Sequence, residues 1–214
     1  MDYEANEKRV KETALPEEPK QEPEEKSLLF DVYTLLHDLV YILAFITFFF
    51  VFAIRLVGVD GKSMNMTLYD GDYVALLSNA FYDHDHVAQG DIVVASVPSF
   101  EDGKPIVKRV IATEGQTLDL IDGVVYVDGT PLDEEYINGV DCTYEQSDYG
   151  YPITVPEGCV FLMGDNRMAS RDSRWYEIGM VDTRYLLGKV LFLVWPGTNG
   201  QTESRDFGRV GSVS

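Results

Sequence analysis

The stretch PIVKRVIATEGQTL at residues 105–118 contains a run of Val, Ile and Ala that carries two adjacent basic residues, Lys108 and Arg109. β-Branched residues bounded by Pro and Gly are typical of a β-strand. Successive side chains of a strand point to opposite faces, so Lys108 and Arg109 lie on opposite sides of the predicted sheet. One of the two basic side chains must therefore face an apolar side.

A lysine that faces an apolar side can act as a base. An ordinary lysine has a pKa near 10.4 and is almost fully protonated at neutral pH. Burial disfavours the charged form and lowers this pKa, by several units in the deepest sites. Lys108 is therefore a candidate general base. The alternative is that both basic residues lie at a sheet edge or pair with acids.

The remainder of residues 60–214 contains further short runs rich in Val, Ile, Leu and Tyr, each bounded by Gly, Pro, Asn or Asp. Asp128 and Gly129 form a hairpin-type turn directly after one of these runs. Apart from residues 182–187, no stretch of this region has a convincing helical period. The sequence therefore predicts a mainly β domain.

The N-terminal part of the chain divides into a tail and an apolar segment. Residues 1–38 contain eleven acidic and five basic residues, which indicates a disordered acidic tail. Residues 39–59 carry Arg55 as their single charge, and 21 residues form a helix of about 31 Å, the thickness of a bilayer core. The long acidic leader argues against a cleaved secretory signal. We predict a permanent transmembrane helix, with a buried helix of a soluble domain as the alternative.

The composition excludes several classes of function. The 214 residues carry a net charge of −19, which argues against nucleic acid as a partner because phosphate contacts need clustered Lys and Arg. Two cysteines are too few for a disulfide scaffold or a structural zinc site. His84 and His86 could join Asp83 or Asp85 in a metal site or serve a Ser-His-Asp triad, but such a segment is more typical of a solvated turn. We predict no metal and no cofactor.

Three motifs give the chain a resemblance to bacterial type I signal peptidases. The sequence SMNMTL at 63–68 resembles the family's S-M-x-P-T-L motif, and IVKRV at 106–110 resembles its lysine-bearing strand. The sequence GDNRMASRDSR at 164–174 resembles its G-D-N-R-x-x-S-x-D-S-R box. The motifs stand in the family's order behind an apolar segment, and the resemblance covers residues 57–196.

The resemblance implies a fold, a reaction and a location. Members of this family are serine endopeptidases that remove signal peptides from secreted preproteins, cutting after small residues at the first and third positions before the cut. The implied catalytic domain, residues 60–214, is an antiparallel, barrel-like β-sheet with an inserted β-rich cap at about 120–157. The implied topology is a single-pass cell-membrane protein whose tail, residues 1–38, is cytoplasmic and whose catalytic domain is extracytoplasmic. Its partners are preproteins and the lipid bilayer.

The same motifs imply residue roles. Ser63 is the expected nucleophile and Lys108 the general base, and the Ser170 hydroxyl is expected to hydrogen-bond and orient the lysine amine. Asp172 and Arg174 are expected to form a supporting salt bridge. The backbone N–H of Ser63 is the expected first oxyanion donor.

Motif spacing also suggests where the substrate binds. Shallow apolar pockets would admit small side chains and exclude bulky ones, and the extended substrate would add along strand edges. The candidate pocket residues are Val59, Met64, Leu68, Val74 and Val107. For each of them an ordinary position in the core is the alternative.

The chain departs from the family's pattern at two positions. Met66 stands where the family has proline, so a residue that fixes φ near −65° is lost from the turn after the nucleophile. We therefore expect Met66→Pro to preserve or improve turnover. Gly61 stands where some members carry a hydroxyl as a second oxyanion donor, and this donor is not assigned. The implied location permits a disulfide, for which Cys142 and Cys159 are the candidates.

Two other functions fit part of the sequence. A catalytically silent homologue, acting as a membrane-tethered binding or assembly factor, fits the loss of proline at position 66 but not the retention of the Ser, Lys and Ser set. A LexA-like self-cleaving regulator uses the same chemistry. The apolar segment and the lack of a basic DNA-binding domain argue against that regulator.

Overall fold

A computed structural model describes residues 28–82, 86–137, 147–198 and 204–213 of the chain. It divides into two compact units, Met1–Ala44 and Phe45–Ser214. Within the described residues, one α-helix precedes a region built from short strands and four 3₁₀ turns. Residues 1–27 of the predicted tail, the segment 83–85 and Cys142 lie outside the described residues.

The helix, α1, spans Leu28–Phe52. Its 25 residues correspond to about 38 Å at 1.5 Å per residue, and its most apolar window has a mean hydropathy of 2.2. None of its side chains is buried, which distinguishes it from the core helix of a soluble domain. By length and composition, α1 can cross a bilayer.

The predicted bounds of this helix, 39–59, were wrong at both ends. Residues 28–38, assigned to the tail, are helical and continue the apolar segment toward the N-terminus. Residues Ile54–Gly58, assigned to the helix, form the first strand and pair in antiparallel register with Tyr73–Leu77. The reason is long-range strand pairing, which a local count of apolar residues does not detect.

Twelve strands are described, and they are numbered in chain order: β1 (Ile54–Gly58), β2 (Tyr73–Ser78), β3 (Ile92–Ala95), β4 (Ile106–Thr113), β5 (Thr117–Ile121), β6 (Val124–Val127), β7 (Thr130–Pro131), β8 (Ile153–Thr154), β9 (Cys159–Met163), β10 (Val181–Asp182), β11 (Leu186–Trp195) and β12 (Gly211–Ser212). Every pairing between them is antiparallel. The predicted mainly β, antiparallel fold is confirmed.

The strands form two sheets. The larger has eight strands in the order β1-β2-β11-β3-β4-β9-β10, with β12 on β11. Register shifts interrupt the pairing of β11 with β2 and β3 and of β4 with β9, and such bulges bend a sheet. The sheet is accordingly curled and barrel-like but open, with β1 and β10 at its edges. The smaller sheet, β7-β6-β5-β8, is inserted in the chain between β4 and β9, where it overlaps the proposed cap.

A buried apolar cluster fixes the connection between β1 and β2 against the larger sheet. Val59, Met64 and Leu68 of this connection pack against side chains from β2, β3 and β11, among them Val74 and Val94. Met64 and Leu68 are 1% and 0% exposed. Burial of such side chains stabilises the fold by about 1.5–3 kcal/mol each, which holds the connection in one place.

β11 lies in close contact with β2 at Gly188, and this contact predicts that a substitution there has a large effect on stability. Gly188 has a φ of +151°, and a Cβ at this position would overlap the carbonyl oxygen of Leu77. Gly211 has a similar φ of +154° but open space around it. We expect Gly188→Ala to reduce the free energy of unfolding by about 1–3 kcal/mol more than Gly211→Ala does, because only the first adds a steric overlap to the backbone strain. Urea unfolding of the two variants measures this difference, and equal losses would contradict it.

Candidate active site

Ser63 lies in the connection between β1 and β2, at residues 59–72, which we call the nucleophile turn. Two backbone hydrogen bonds close its base: Val59 N donates to Asp72 O at 2.8 Å, and Gly71 N donates to Val59 O at 2.9 Å. Within the turn, Leu68 N donates to Met64 O at 2.8 Å. The turn is therefore fixed at its base by the sheet and beneath by the core.

The side chain of Lys108 lies against the nucleophile turn. Its Nζ is 2.8 Å from Ser63 Oγ and 3.1 Å from the carbonyl oxygen of Val107, and the residue is 3% exposed. No salt bridge with Lys108 occurs among the residues that the structure describes. The lysine and serine, 45 positions apart in the sequence, form the predicted contact.

Burial lowers the pKa of Lys108 to about 8. Removal from water penalises the ammonium form, and this is the largest effect on the pKa. The negative charges of Asp172 and Asp165 act in the opposite direction, and the positive charge of Arg174 lowers the pKa further. A substantial fraction of Lys108 is therefore neutral near pH 8 and can accept a proton.

Arg109 satisfies its charge on the other face of β4. Its Nε and Nη2 donate to the two carboxylate oxygens of Asp165 at 2.9 and 2.8 Å, with both side chains buried. Thr67 Oγ1 donates to the same carboxylate at 2.5 Å. Asp165 thereby joins the lysine strand to the nucleophile turn. Among the described residues, Arg109 is paired with an acid and Lys108 is not.

Arg109, Asp165 and Thr67 had no predicted role in the site. Strand alternation placed Arg109 on the face opposite Lys108, which is correct. Its partner lies 56 positions away, and no local signal connects the two.

The segment 164–174, here called the box, holds the backbone of Ser63 directly. Asn166 N donates to Ser63 O at 2.9 Å, and Asn166 Nδ2 donates to Lys62 O at 2.9 Å. A Cβ on Gly164 would overlap the same Ser63 carbonyl oxygen, so the two backbones lie in close contact. A glycine at the start of the box is therefore a steric requirement of the site.

The predicted salt bridge between Asp172 and Arg174 is present and buried. Arg174 Nε and Nη2 donate to the two Asp172 oxygens at 2.8 and 2.9 Å. Asp172 Oδ2 also accepts from Gly164 N at 3.0 Å, and Arg174 Nη2 donates to Arg167 O at 2.8 Å. The pair thus closes the box into a loop of fixed shape.

Ser170 is buried in the box, but the predicted hydrogen bond to Lys108 is absent. Its Oγ has no hydrogen-bond partner among the described residues, and it lies where a Cβ on Gly164 would stand. The lysine Nζ lies within hydrogen-bonding distance of Ser63 Oγ and the carbonyl of Val107 instead. The role of Ser170 in orienting the lysine stays a prediction.

Of the two oxyanion donors known from the family's pattern, the chain provides the backbone donor but not the side-chain hydroxyl. Within the described part of the chain, the backbone N–H of Ser63 donates to no other group. The backbone N–H of Gly61 donates to Asp70 Oδ1 at 2.9 Å, and glycine offers no hydroxyl. The first predicted oxyanion donor is therefore free of competing partners, and the second has no side chain at this position.

A cleft of about 470 Å³ lies beside the Ser63–Lys108 pair. Its apolar wall includes Val57, Ile106 and Val107, and its rim carries charged side chains, among them Asp60 and Lys104, which form a salt bridge at 3.0 Å. Ile106 lies on the same face of the strand as Lys108. The alternation that identified Lys108 as a candidate base therefore also indicated that Ile106 belongs to this wall.

Of the five predicted pocket residues, only Val107 lines this cleft. The other four belong to the buried cluster beneath the nucleophile turn: Val59, Met64, Leu68 and Val74. Val57 and Val107 of the cleft wall pack against this cluster, and the assignment of the four residues to the substrate pocket stays a prediction. Two further alternatives, a metal site with His84 and a disulfide with Cys142, involve residues outside the described ranges.

Met66 adopts a backbone conformation that proline cannot. Its φ is +88°, whereas the proline ring fixes φ near −65°. The expectation that Met66→Pro preserves turnover was therefore wrong. The turn reaches its closing hydrogen bonds through a left-handed residue at this position, a conformation that costs about 1–3 kcal/mol for a residue other than glycine.

We now expect Met66→Pro to reduce proteolytic turnover by about 10²-fold, because the turn must rebuild three residues after Ser63 and catalysis is sensitive to displacements near 1 Å. Met66→Gly, which adopts a positive φ freely, serves as the matched variant and retains turnover near that of the wild type. Steady-state cleavage rates of the two variants provide the comparison. A proline variant as active as the wild type would show that the turn accepts a negative φ.

The chain is similar to known proteins of one family. A family model described as "Signal peptidase, peptidase S26" matches residues 32–195. The chain is 37% identical to the protein named probable signal peptidase I-1 of Synechocystis, over 78% of this chain and 83% of the relative. It is 34% identical to signal peptidase I of Bacillus licheniformis, over 64% of this chain and 75% of the relative. A solved signal peptidase I from Enterococcus faecalis aligns with a TM-score of 0.41 at 30% identity, covering 48% of this chain and 95% of that one.

Proposed function

The chain belongs to the signal peptidase family, peptidase S26, and from this premise we propose that it is a membrane-anchored serine endopeptidase with a Ser63 nucleophile and a Lys108 general base. Signal peptide removal is the activity its relatives are named for. The observation that supports this mechanism best is the 2.8 Å contact between Ser63 Oγ and the Nζ of a buried lysine that has no acidic partner among the described residues.

The first half of the reaction forms an acyl-enzyme. The neutral Lys108 amine takes the proton of Ser63 Oγ while this oxygen attacks the scissile carbonyl carbon. The negative charge on the carbonyl oxygen is stabilised by the backbone N–H of Ser63. Collapse of the tetrahedral intermediate breaks the peptide C–N bond, and the Lys108 ammonium returns its proton to the leaving amine.

The second half releases the signal peptide. A water molecule attacks the Ser63 ester while the neutral Lys108 amine accepts one of its protons. The intermediate expels Ser63 Oγ, which takes that proton back from the lysine. The products are a new carboxylate on the signal peptide and a free amine on the mature protein. Ser170 is buried in the box with a hydroxyl that has no hydrogen-bond partner among the described residues, and its proposed role is to hydrogen-bond the lysine amine and orient it.

The substrates are secretory preproteins with small residues at the first and third positions before the cut. The cleft wall of Val57, Ile106 and Val107 is apolar and is formed by strand residues, which suits an extended peptide with short side chains. We expect this wall to admit short side chains at these two positions and to exclude bulky ones.

The proposed membrane arrangement is supported by α1 and by the nature of the substrates. α1, Leu28–Phe52, spans the bilayer once, and the β-rich region that follows it is the catalytic domain. The catalytic domain lies on the extracytoplasmic side because preproteins emerge there, which leaves the acidic tail in the cytoplasm. The smaller sheet, inserted between β4 and β9, is the cap of the catalytic domain.

The reaction is tested by cleavage of a preprotein with an A-x-A site, in detergent, by the wild type, Ser63→Ala and Lys108→Arg. We expect the wild type to create a new N-terminus directly after the second Ala. Each variant loses at least about 10³-fold of the rate, since the first lacks the nucleophile and the second carries a guanidinium that does not deprotonate.

Lys189→Arg is the control for this experiment, because Lys189 pairs with Asp91 away from the cleft. It is expected to cleave like the wild type. Activity of Ser63→Ala would refute the nucleophile. A wild type that cleaves no preprotein would favour the catalytically silent homologue.

The pH dependence of kcat/KM tests the base. Lys108 must be neutral in the free enzyme, and burial lowers its pKa to about 8. Below this pH the rate should fall about tenfold per unit, and above it the rate should level off, because kcat/KM reports the ionisation of the free enzyme. A substrate without titrating side chains near the cut isolates the effect. A plateau extending down to pH 6 would exclude Lys108 as the base.

A further inference from the structure

The C-terminal segment, residues 204–213, lies beyond the part of the chain that the family model matches, which ends at residue 195. It returns to the catalytic domain nonetheless. β12 pairs with β11, where Phe192 faces Ser212, and Val213 packs on the cluster beneath the nucleophile turn. Just before β12, the short 3₁₀ turn Phe207–Arg209 places Arg209 next to the nucleophile turn.

Arg209 makes four contacts with this turn. Its Nη1 and Nη2 donate to the two carboxylate oxygens of Asp72 at 3.1 and 2.6 Å, and Nη2 also donates to the backbone oxygen of Thr67 at 3.2 Å. The guanidinium carbon lies 4.4 Å from the centre of the Tyr69 ring. Arg209 therefore binds the turn through its positive charge, through its planar set of N–H donors and through the flat face of its guanidinium.

Asp72 requires this cation. Its side chain is 0% exposed, and its carboxylate also accepts from Tyr69 N at 2.8 Å and from Gly197 N at 2.6 Å. Arg209 is the one cation paired with it within the described ranges. Removal of the arginine leaves a buried carboxylate without a counter-charge, a state that is costly when only one partner is lost.

The contact reaches the catalytic residues through Thr67. The backbone oxygen of Thr67 accepts from Arg209, while its hydroxyl donates to Asp165, the carboxylate that holds Arg109 beside Lys108. The same short segment is therefore held on one side by the C-terminal segment and on the other by the box and the lysine strand. Thr67 lies four positions after Ser63.

The turn needs such support because of Met66. A non-glycine residue at a φ of +88° persists only when its surroundings impose that conformation. Met66 itself is 55% exposed, and the Tyr69 hydroxyl reaches its sulfur at 3.9 Å, a weak contact. The strong restraints on this part of the turn are the bonds to Thr67, Tyr69 and Asp72, and Arg209 contacts all three.

We propose that Arg209 is a positioning residue for the nucleophile: the C-terminal segment clamps residues 67–72 and thereby keeps Ser63 Oγ within reach of the Lys108 amine. The functional part of this proposal rests on the proposed function. The clamp helps to impose the positive φ of Met66, a conformation that a proline at this position could not adopt. Arg209 does not contact the cleft, so its effect is on the chemical step and not on substrate binding.

The test compares Arg209→Gln, Arg209→Lys and Arg205→Gln in the full-length protein in detergent. Arg205→Gln is the matched control because it removes the same charge from the same segment. Its guanidinium contacts Pro196 O and the Trp195 ring, and not the nucleophile turn. Two readouts are needed: kcat and KM for a preprotein substrate, and hydrogen–deuterium exchange of the peptide that covers residues 59–72.

We expect Arg209→Gln to lower kcat by about 10- to 100-fold with little change in KM, because Ser63 is displaced while the cleft is intact. Exchange of the amides in residues 59–72 becomes faster in this variant. Arg209→Lys restores part of kcat, since an ammonium neutralises Asp72 but does not reproduce the paired hydrogen bonds. Arg205→Gln matches the wild type in both readouts.

The proposal is overturned if Arg209→Gln keeps kcat within about twofold of the wild type, a change too small to reflect displaced chemistry. It is also overturned if Arg205→Gln loses activity and amide protection equally, because the effect is then general destabilisation of the segment. If the wild type itself cleaves no preprotein, the proposed function fails, and exchange alone decides: unchanged protection of residues 59–72 in Arg209→Gln refutes the clamp.

Discussion

The burial of one lysine amine, with no carboxylate partner among the described residues, is the constraint around which the β-rich region is arranged. Lys108 is 3% exposed on a strand inside the larger sheet, and the resulting pKa of about 8 gives it basic character. Because the unfolded chain binds this proton more tightly than the folded chain does, the burial costs stability below about pH 8. That cost is recovered as the pH rises from about 8 toward the ordinary value of 10.5. The proposed mechanism depends on this loss, because only a neutral amine can accept a proton.

The two acids whose charges act on the lysine are each engaged by another cation, which leaves the amine without an ion-pair partner among the described residues. Asp165 is bound by Arg109, and Asp172 is bound by Arg174, in both cases through two parallel hydrogen bonds between buried groups. A buried pair of this kind is destabilising when one member is removed, so each pair fixes its two segments together. Asp165 and Asp172 therefore have two effects. Their pairing with arginines keeps them from neutralising Lys108, and it also joins the segments that hold Ser63.

The nucleophile turn is held from three directions. The core beneath it buries Met64 and Leu68, the box binds the Ser63 carbonyl through the backbone of Asn166, and the C-terminal segment binds Asp72 through Arg209. A turn that contains a left-handed methionine has little stability of its own, and these contacts compensate for it. Preorganisation of the serine is thus a property of distant parts of the chain.

The sequence by itself determined the apolar segment, the β-rich region and the residues of the proposed site. Ser63, Lys108 and the box are recognisable from residue type and order, because motifs and alternation are local patterns. Only the tertiary structure decided which side each residue faces. It moved the end of the helix to Phe52, since β1 pairs with a strand fifteen or more positions away, and it placed four of the five expected pocket residues in the core. The partners of Arg109 and Arg209 lie 56 and 137 positions away, and Met66 takes a positive φ where proline was expected to be tolerated. Pairing, facing and backbone strain depend on contacts between segments that are remote in sequence, and no local pattern encodes them.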